Sequence, residues 1–183
     1  MRTALKRTAW RSVPLPFLVG SFGLVLATAL NTSFAAGQSP TENTIVYLVR
    51  HAEKLEDSRD PPLTTAGRER ARLLADMLQD AGLTHIHTTD LERTRDTAAP
   101  IARRLGIQLQ FYLALELEDL ADQLRATPGR HLVAGHSNST PSLVRLLGGE
   151  STDIAEPEHD RLYIVTLDPN GTTSTVLLRY GSP

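Results

Sequence analysis

Residues 44–49, Thr-Ile-Val-Tyr-Leu-Val, form an unbroken apolar and largely β-branched run, the pattern of a strand covered on both faces. A loop reaches Pro61-Pro62, and then the period changes. Ala71, Leu74, Ala75 and Leu78 recur on one helical face, behind Thr64, whose hydroxyl suits an N-cap, and ahead of Gly82. Ile86 and its neighbours predict a short strand. Residues 91–105 carry Ala98, Ile101, Ala102 and Leu105 at helical spacing, but Pro100 lacks an N–H and predicts a kink or a start delayed to about Thr97. Residues 108–112 read as a strand, and Leu117, Leu120, Ala121 and Leu124 give another helical face. Residues 131–134 are a strand running into Gly135-His136. Thr140-Pro141 then opens a helix as cap and first residue, and Gly148-Gly149 closes it. Strands over 162–167 and 172–178 flank the turn sequence Asp168-Pro169-Asn170-Gly171. Strands alternating with helices predict one α/β domain: three α/β/α layers, a mainly parallel sheet and a C-terminal antiparallel hairpin.

The first 35 residues follow a different rule. Arg2, Lys6, Arg7 and Arg11 form a basic segment without an acidic residue, an apolar stretch runs from Val13 to Leu30, and Ser33 and Ala35 are small residues placed for cleavage after Ala35. That order predicts a signal peptide over 1–35, with a periplasmic or secreted destination. The rival is an uncleaved anchor, but Pro14, Pro16, Gly20 and Gly23 interrupt a spanning helix, so no stable membrane anchor is expected after cleavage. Residues 36–43 are polar and read as a linker, leaving 44–183 as the folded domain.

Composition changes this picture little. The chain has 183 residues, 40% hydrophobic, with a formal net charge of −2 and no cysteine, so one domain without disulfides is expected. No basic run in the folded part suggests nucleic acid.

In α/β sheets, chemistry collects at the carboxyl ends of parallel strands. Arg50-His51 follows the first strand, His136 ends the strand beginning near 131, and Asp90-Leu91-Glu92-Arg93-Thr94 follows the short strand at 86–88. Each has an ordinary alternative. A strand-end histidine is commonly a hydrogen-bonded structural residue, and the charged run 90–96 can be a solvated helix face. His85 and His87, two apart, could share a face as a metal pair does, but no cysteine and no fixed third ligand accompany them, so no metal is expected. Together, two histidines and two arginines at three strand ends suit a phosphate monoester. Neutral imidazole is a nucleophile, and arginine's planar fork holds two phosphate oxygens. A helix starting at Thr140 could add backbone N–H groups beside Ser137 and Asn138.

Val49-Arg50-His51-Ala52-Glu53-Lys54 resembles the Arg-His signature of the histidine phosphatase, or phosphoglycerate mutase-like, superfamily. Leu63-Thr64 with Gly67, Thr89-Asp90-Leu91-Glu92-Arg93-Thr94 with Thr97-Ala98, and Val133-Ala134-Gly135-His136-Ser137-Asn138 resemble further blocks of that family, in its order. The resemblance implies that His51 attacks phosphorus, that Arg50, Arg93 and a protonated His136 bind the phosphoryl oxygens with Ser137 beside them, and that no cofactor or metal is needed. It also implies a carboxylic acid as proton donor. Glu116 ranks first by spacing, then Glu118, then Glu53 within the signature; compact relatives acting on phosphohistidine have no obvious acid. The expected activity is metal-independent hydrolysis of a small phosphate ester or phosphorylated envelope component. The alternatives are a silent anion-binding module and, less favoured, a phosphomutase.

Overall fold

The computed structural model describes residues 43–56 and 58–182; the signal-peptide reading and all but the last residue of the linker reading fall outside them. Ten elements follow in chain order: β1 Thr44–Arg50, α1 Thr65–Leu78, β2 His85–Thr88, α2 Glu92–Leu105, β3 Leu109–Phe111, α3 Leu117–Ala126, β4 Arg130–Gly135, α4 Ser139–Leu146, β5 Arg161–Leu167 and β6 Thr173–Arg179. They build a six-stranded sheet in the order β3-β2-β4-β1-β5-β6. The first four of these strands run parallel, while β5 is antiparallel to β1 and β6 to β5.

Strand alternation divides the core between two faces. Val49, Ile86, Leu132, Ala134 and Leu162 pack against Leu74, Ala75 and Leu78 of α1 and Ala98, Ile101 and Ala102 of α2. Val46, Leu48, Val133, Tyr163 and Val165 pack against Leu120, Ala121 and Leu124 of α3 and Leu143 and Val144 of α4. Side chains of period two therefore serve both layers, which is why the central strands read as continuous apolar runs. This is the expected three-layer α/β/α arrangement with its C-terminal hairpin.

Two helix starts differ from the sequence expectation. Helix α2 begins at Glu92 rather than near Thr97, with Pro100 inside it. Pro100 and Asp96 lie on its partly exposed side, where water can reach the Asp96 carbonyl that loses its N–H partner. The cap of this helix is not local. Leu91 offers no side-chain cap, and Asp60, from the distant 51–64 loop, accepts the Glu92 N–H at 2.9 Å. Helix α4 begins at Ser139 and is capped by Asn138, which accepts the Ser139 N–H at 2.8 Å. Thr140, expected as the cap, instead donates its hydroxyl to Val49 O at 3.2 Å, tying α4 to β1. At α1 the expectation holds, with Thr64 Oγ1 accepting from Gly67 N at 3.0 Å.

Candidate active site

The carboxyl ends of β1, β2 and β4 deliver His51, Thr89 and His136 to one edge of the sheet. The Arg50–Gly135 register aligns β1 with β4, so the residues following each strand emerge side by side. His51 and His136 rings stand 5.5 Å apart, edge to face. Two glycines permit this closeness. A Cβ at Gly67 would lie 2.2 Å from Glu53 O, and one at Gly135 would lie 2.9 Å from both Tyr112 Oη and Thr140 Oγ1. The Leu-Thr-x-x-Gly and Gly-His patterns thus keep backbone close to the signature loop and to α4.

Every backbone polar group of the His51-Ala52 segment is satisfied. His51 N–H donates to Gly135 O at 2.8 Å, and Ala52 N–H donates to Thr97 Oγ1 at 2.9 Å. His159 Nδ1 donates to His51 O at 2.8 Å. His51 Nδ1 lies 2.8 Å from Ala52 O; since a carbonyl only accepts, Nδ1 carries the proton and the Nε2 lone pair is left for chemistry. Burial, opposed by the bond to Ala52 O and reinforced by Arg50, His136 and Arg93, lowers the His51 pKa to about 3. The ring is neutral throughout the physiological range.

Arg50 is buried, and its two terminal nitrogens are engaged. Nη1 donates to the carbonyls of Ala155, Glu156 and Glu158, and Nη2 pairs with the Glu156 carboxylate at 2.8 Å. Arg93 Nη1 has a long contact, 3.4 Å, with Asp60. The Nε groups of Arg50 and Arg93 are both buried without a hydrogen-bond partner among the described residues. An unmet buried N–H is costly, and two of them on arginines beside a histidine pair fit an anion as their partner. His136 Nε2 contacts Thr89 Oγ1 at 3.1 Å, which leaves Nδ1 as its other polar atom. Burial first, then Arg93 and Arg50, lower its pKa to about 4, so His136 is neutral here near pH 7 rather than protonated. A dianion between these groups would pull that value back up.

The remaining sequence candidates divide. Glu53 accepts three bonds from Arg70, at 3.0, 3.0 and 2.7 Å. Burial alone would raise its pKa, but the Arg70 fork outweighs this and lowers it, so Glu53 stays ionised and is a poor acid. Glu116 is the exposed residue preceding α3, and Glu118 lines a groove with Ser142 and Arg145 of α4. Neither makes a side-chain hydrogen bond to the site among the described residues. Ser137 is half-buried next to His136. The backbone N–H groups of Ser139 and Thr140 are taken by Asn138 Oδ1 and His136 O, so these two are not free for an anion, as a start at Thr140 would have left them. Sequence reasoning passed over Asp60, His159 and the 155–158 loop. Only an acidic residue before Pro-Pro and a lone histidine before a strand marked them.

A model of the histidine phosphatase superfamily (branch 1) matches residues 46–117, a stretch holding Arg50, His51, Gly67 and Arg93. The matched stretch is less than half of the chain, and over it the chain is similar to that superfamily. Among curated relatives, a probable phosphoglycerate mutase GpmB of Serratia proteamaculans (strain 568) is 42% identical over 71 residues, 35% of this chain and 33% of that protein. The Escherichia coli O1:K1 / APEC protein of the same name is 40% identical over 73 residues, covering 36% and 34%. The chain thus matches about a third of the length of these relatives. Among solved structures, the protein histidine phosphatase SixA complexed with tungstate aligns with a TM-score of 0.63 at 20% identity, covering 74% of this chain and 96% of that one. The mycobacterial glucosyl-3-phosphoglycerate phosphatase with inorganic phosphate aligns at 0.58 and 13% identity, covering 76% and 97%. At these identities the likeness is one of fold.

Proposed function

We propose that this protein is a metal-independent phosphatase that hydrolyses phosphate monoesters through a phosphohistidine at His51. The observation that carries this reading is the state of His51: neutral, its Nδ1 proton locked on Ala52 O, its Nε2 lone pair free, and two unpartnered buried arginine N–H groups close by. His51 Nε2 forms the N–P bond as the ester P–O bond breaks. Arg50 Nε, Arg93 and His136 hold the phosphoryl oxygens, whose negative charge is redistributed in the transition state. Water then cleaves the N–P bond and phosphate leaves.

The SixA-like and sugar-phosphate phosphatase folds support hydrolysis. The mutase relatives are matched over a third of their length, too little to favour a mutase reading over hydrolysis. Export directed by residues 1–35 would place the substrate among small phosphate esters or phosphorylated envelope components outside the cytoplasm. The test is phosphate release from p-nitrophenyl phosphate in EDTA by wild type and His51→Ala. Release by wild type that is lost in the variant is expected. Full turnover by His51→Ala would remove the phosphohistidine from the reading, and phosphate binding without release would leave an anion-binding module.

A further inference from the structure

The reaction needs a group to give the leaving oxygen a proton, and none of the carboxylates singled out by sequence serves well. Glu53 is locked on Arg70, while Glu116 and Glu118 lie on the exposed side of α3 without a bond to the site. A second imidazole fills that gap. The His159 ring stands 5.7 Å from the His51 ring, inclined by 48°, nearly as close as His136 at 5.5 Å.

Its two nitrogens have different surroundings. Nδ1 donates to His51 O at 2.8 Å, so Nε2 is the remaining polar atom of the ring. The half-buried ring lines a cleft with Arg50, Glu53, Lys54 and Glu156. The loop carrying it is fixed at several points. Glu158 accepts from Arg161 at 2.6 Å, from Arg179 at 3.0 Å and from Ala155 N–H at 2.8 Å, while Asp160 holds Arg179 at 2.8 Å. The carbonyls of the same loop grip Arg50. A ring held this firmly next to the nucleophile and open to a cleft is placed for proton transfer.

We propose that His159 is the acid–base catalyst of the phosphatase reaction, an assignment that rests on the phosphatase reading above. As His51 Nε2 bonds to phosphorus and the P–O bond breaks, the leaving oxygen takes the proton from His159 Nε2–H. His159 is left neutral and the alcohol departs. Water then attacks phosphorus, its proton passes to His159 Nε2, its hydroxyl joins phosphorus and the N–P bond breaks. Phosphate leaves with both imidazoles restored. Burial lowers the His159 pKa, the bond to His51 O raises it, Arg50 and Arg70 lower it and Glu53 raises it; the net direction is down. The neutral form suits the second step, and a phosphate dianion arriving beside the ring favours the protonated form needed for the first.

His159→Asn tests this, because the Asn amide N–H can replace the Nδ1 donor to His51 O while the titrating Nε2 is lost. The measurement is kcat/KM for p-nitrophenyl, phenyl and methyl phosphate. General-acid help matters least for p-nitrophenolate, a good leaving group, and most for methoxide. The expected result is a loss of about 10²-fold on methyl phosphate, much less on p-nitrophenyl phosphate, and a steeper dependence on leaving-group pKa than in wild type. An equal loss on all three esters would reduce His159 to a structural pin, and no loss would remove it from the reaction; either overturns the proposal. Should His159→Asn fail to fold, His159→Gln is read in the same way. The wild-type slope is a further check, because a steep dependence there would overturn the proposal without any variant. If wild type released no phosphate from any ester, the phosphatase reading itself would fall, an outcome distinct from an active enzyme whose slope ignores His159.

Discussion

The molecule holds two groups of three histidines, and they differ in what their nitrogens have left to do. His51, His136 and His159 gather at the carboxyl edge of the parallel strands. His85, His87 and His131 gather near the amino ends of β2 and β4, on the face covered by α3 and α4. In the second group the rings stack: His85 on His131 at 4.6 Å and 10°, His87 on His131 at 5.3 Å and 20°. His131 Nε2 donates to Thr127 O at 3.0 Å, so its Nδ1 accepts from His87 Nε2, also at 3.0 Å. Burial first, then His131 and His85, lower the His87 pKa to about 4, close to that of His136. Desolvation alone therefore does not separate a candidate catalytic histidine from a structural one. The separation lies in an unengaged nitrogen beside unpartnered arginine N–H groups. Of the His85 and His87 pair, His87 is tied to His131, while His85 stacks on His131 and its Nδ1 lies 2.8 Å from Thr84 Oγ1.

The largest effect that would sharpen this contrast is at Arg93. Arg93→Met should lower kcat/KM on p-nitrophenyl phosphate by about 10²- to 10³-fold, with melting temperature nearly unchanged, because its ion pair with Asp60 is long and partly exposed. An unaltered rate would break the claim that its Nε awaits an anion. Gly67→Ala should be next, with a stability loss of about 3 kcal/mol or more in urea unfolding, since the new Cβ cannot share space with Glu53 O.

The structural group should respond the other way. His87→Leu would leave His131 Nδ1 buried without its donor and should cost about 1–3 kcal/mol of stability while steady-state turnover at 25 °C persists. A collapse of kcat with stability intact would mean that the stack is part of the site. Both groups should weaken the fold in acid. His51, His87 and His136 have folded pKa values of about 3, about 4 and about 4, below the ordinary histidine value, so the unfolded chain binds more protons as pH falls through about 6.5. The stability they permit is whole above pH 7, declines from about pH 6.5 and is lost by about pH 3–4; melting temperature across that window measures it. The smallest effect is expected at Glu116, where Glu116→Gln should change kcat/KM less than about threefold, since removing a proton donor would cost far more.

Much of this was legible in one dimension because the signals are local. The β1 run, the Thr64 cap and the Asp-Pro-Asn-Gly turn each depend on neighbours a few residues away, and the three strand-end motifs marked His51, Arg93 and His136 before any distance was known. What failed locally failed for a shared reason. Thr140 lost its capping role to Asn138 because its hydroxyl bonds across to β1, and α2 kept its first turn because Asp60, 32 residues earlier, caps it.

By itself, then, the sequence determined the α/β alternation, the motifs that resemble the superfamily's and the residues proposed to attack and bind phosphate, since periodicity and short motifs are properties of adjacent residues. The tertiary structure decided which nitrogens remain free. It set the His51 tautomer through Ala52 O, committed Glu53 to Arg70, gripped Arg50 in the 155–158 loop and brought His159, 108 residues distant, against the His51 backbone. Those outcomes depend on burial and on partners far along the chain. Protonation and hydrogen bonding are settled by what surrounds a group in space, which no spacing along the sequence can specify.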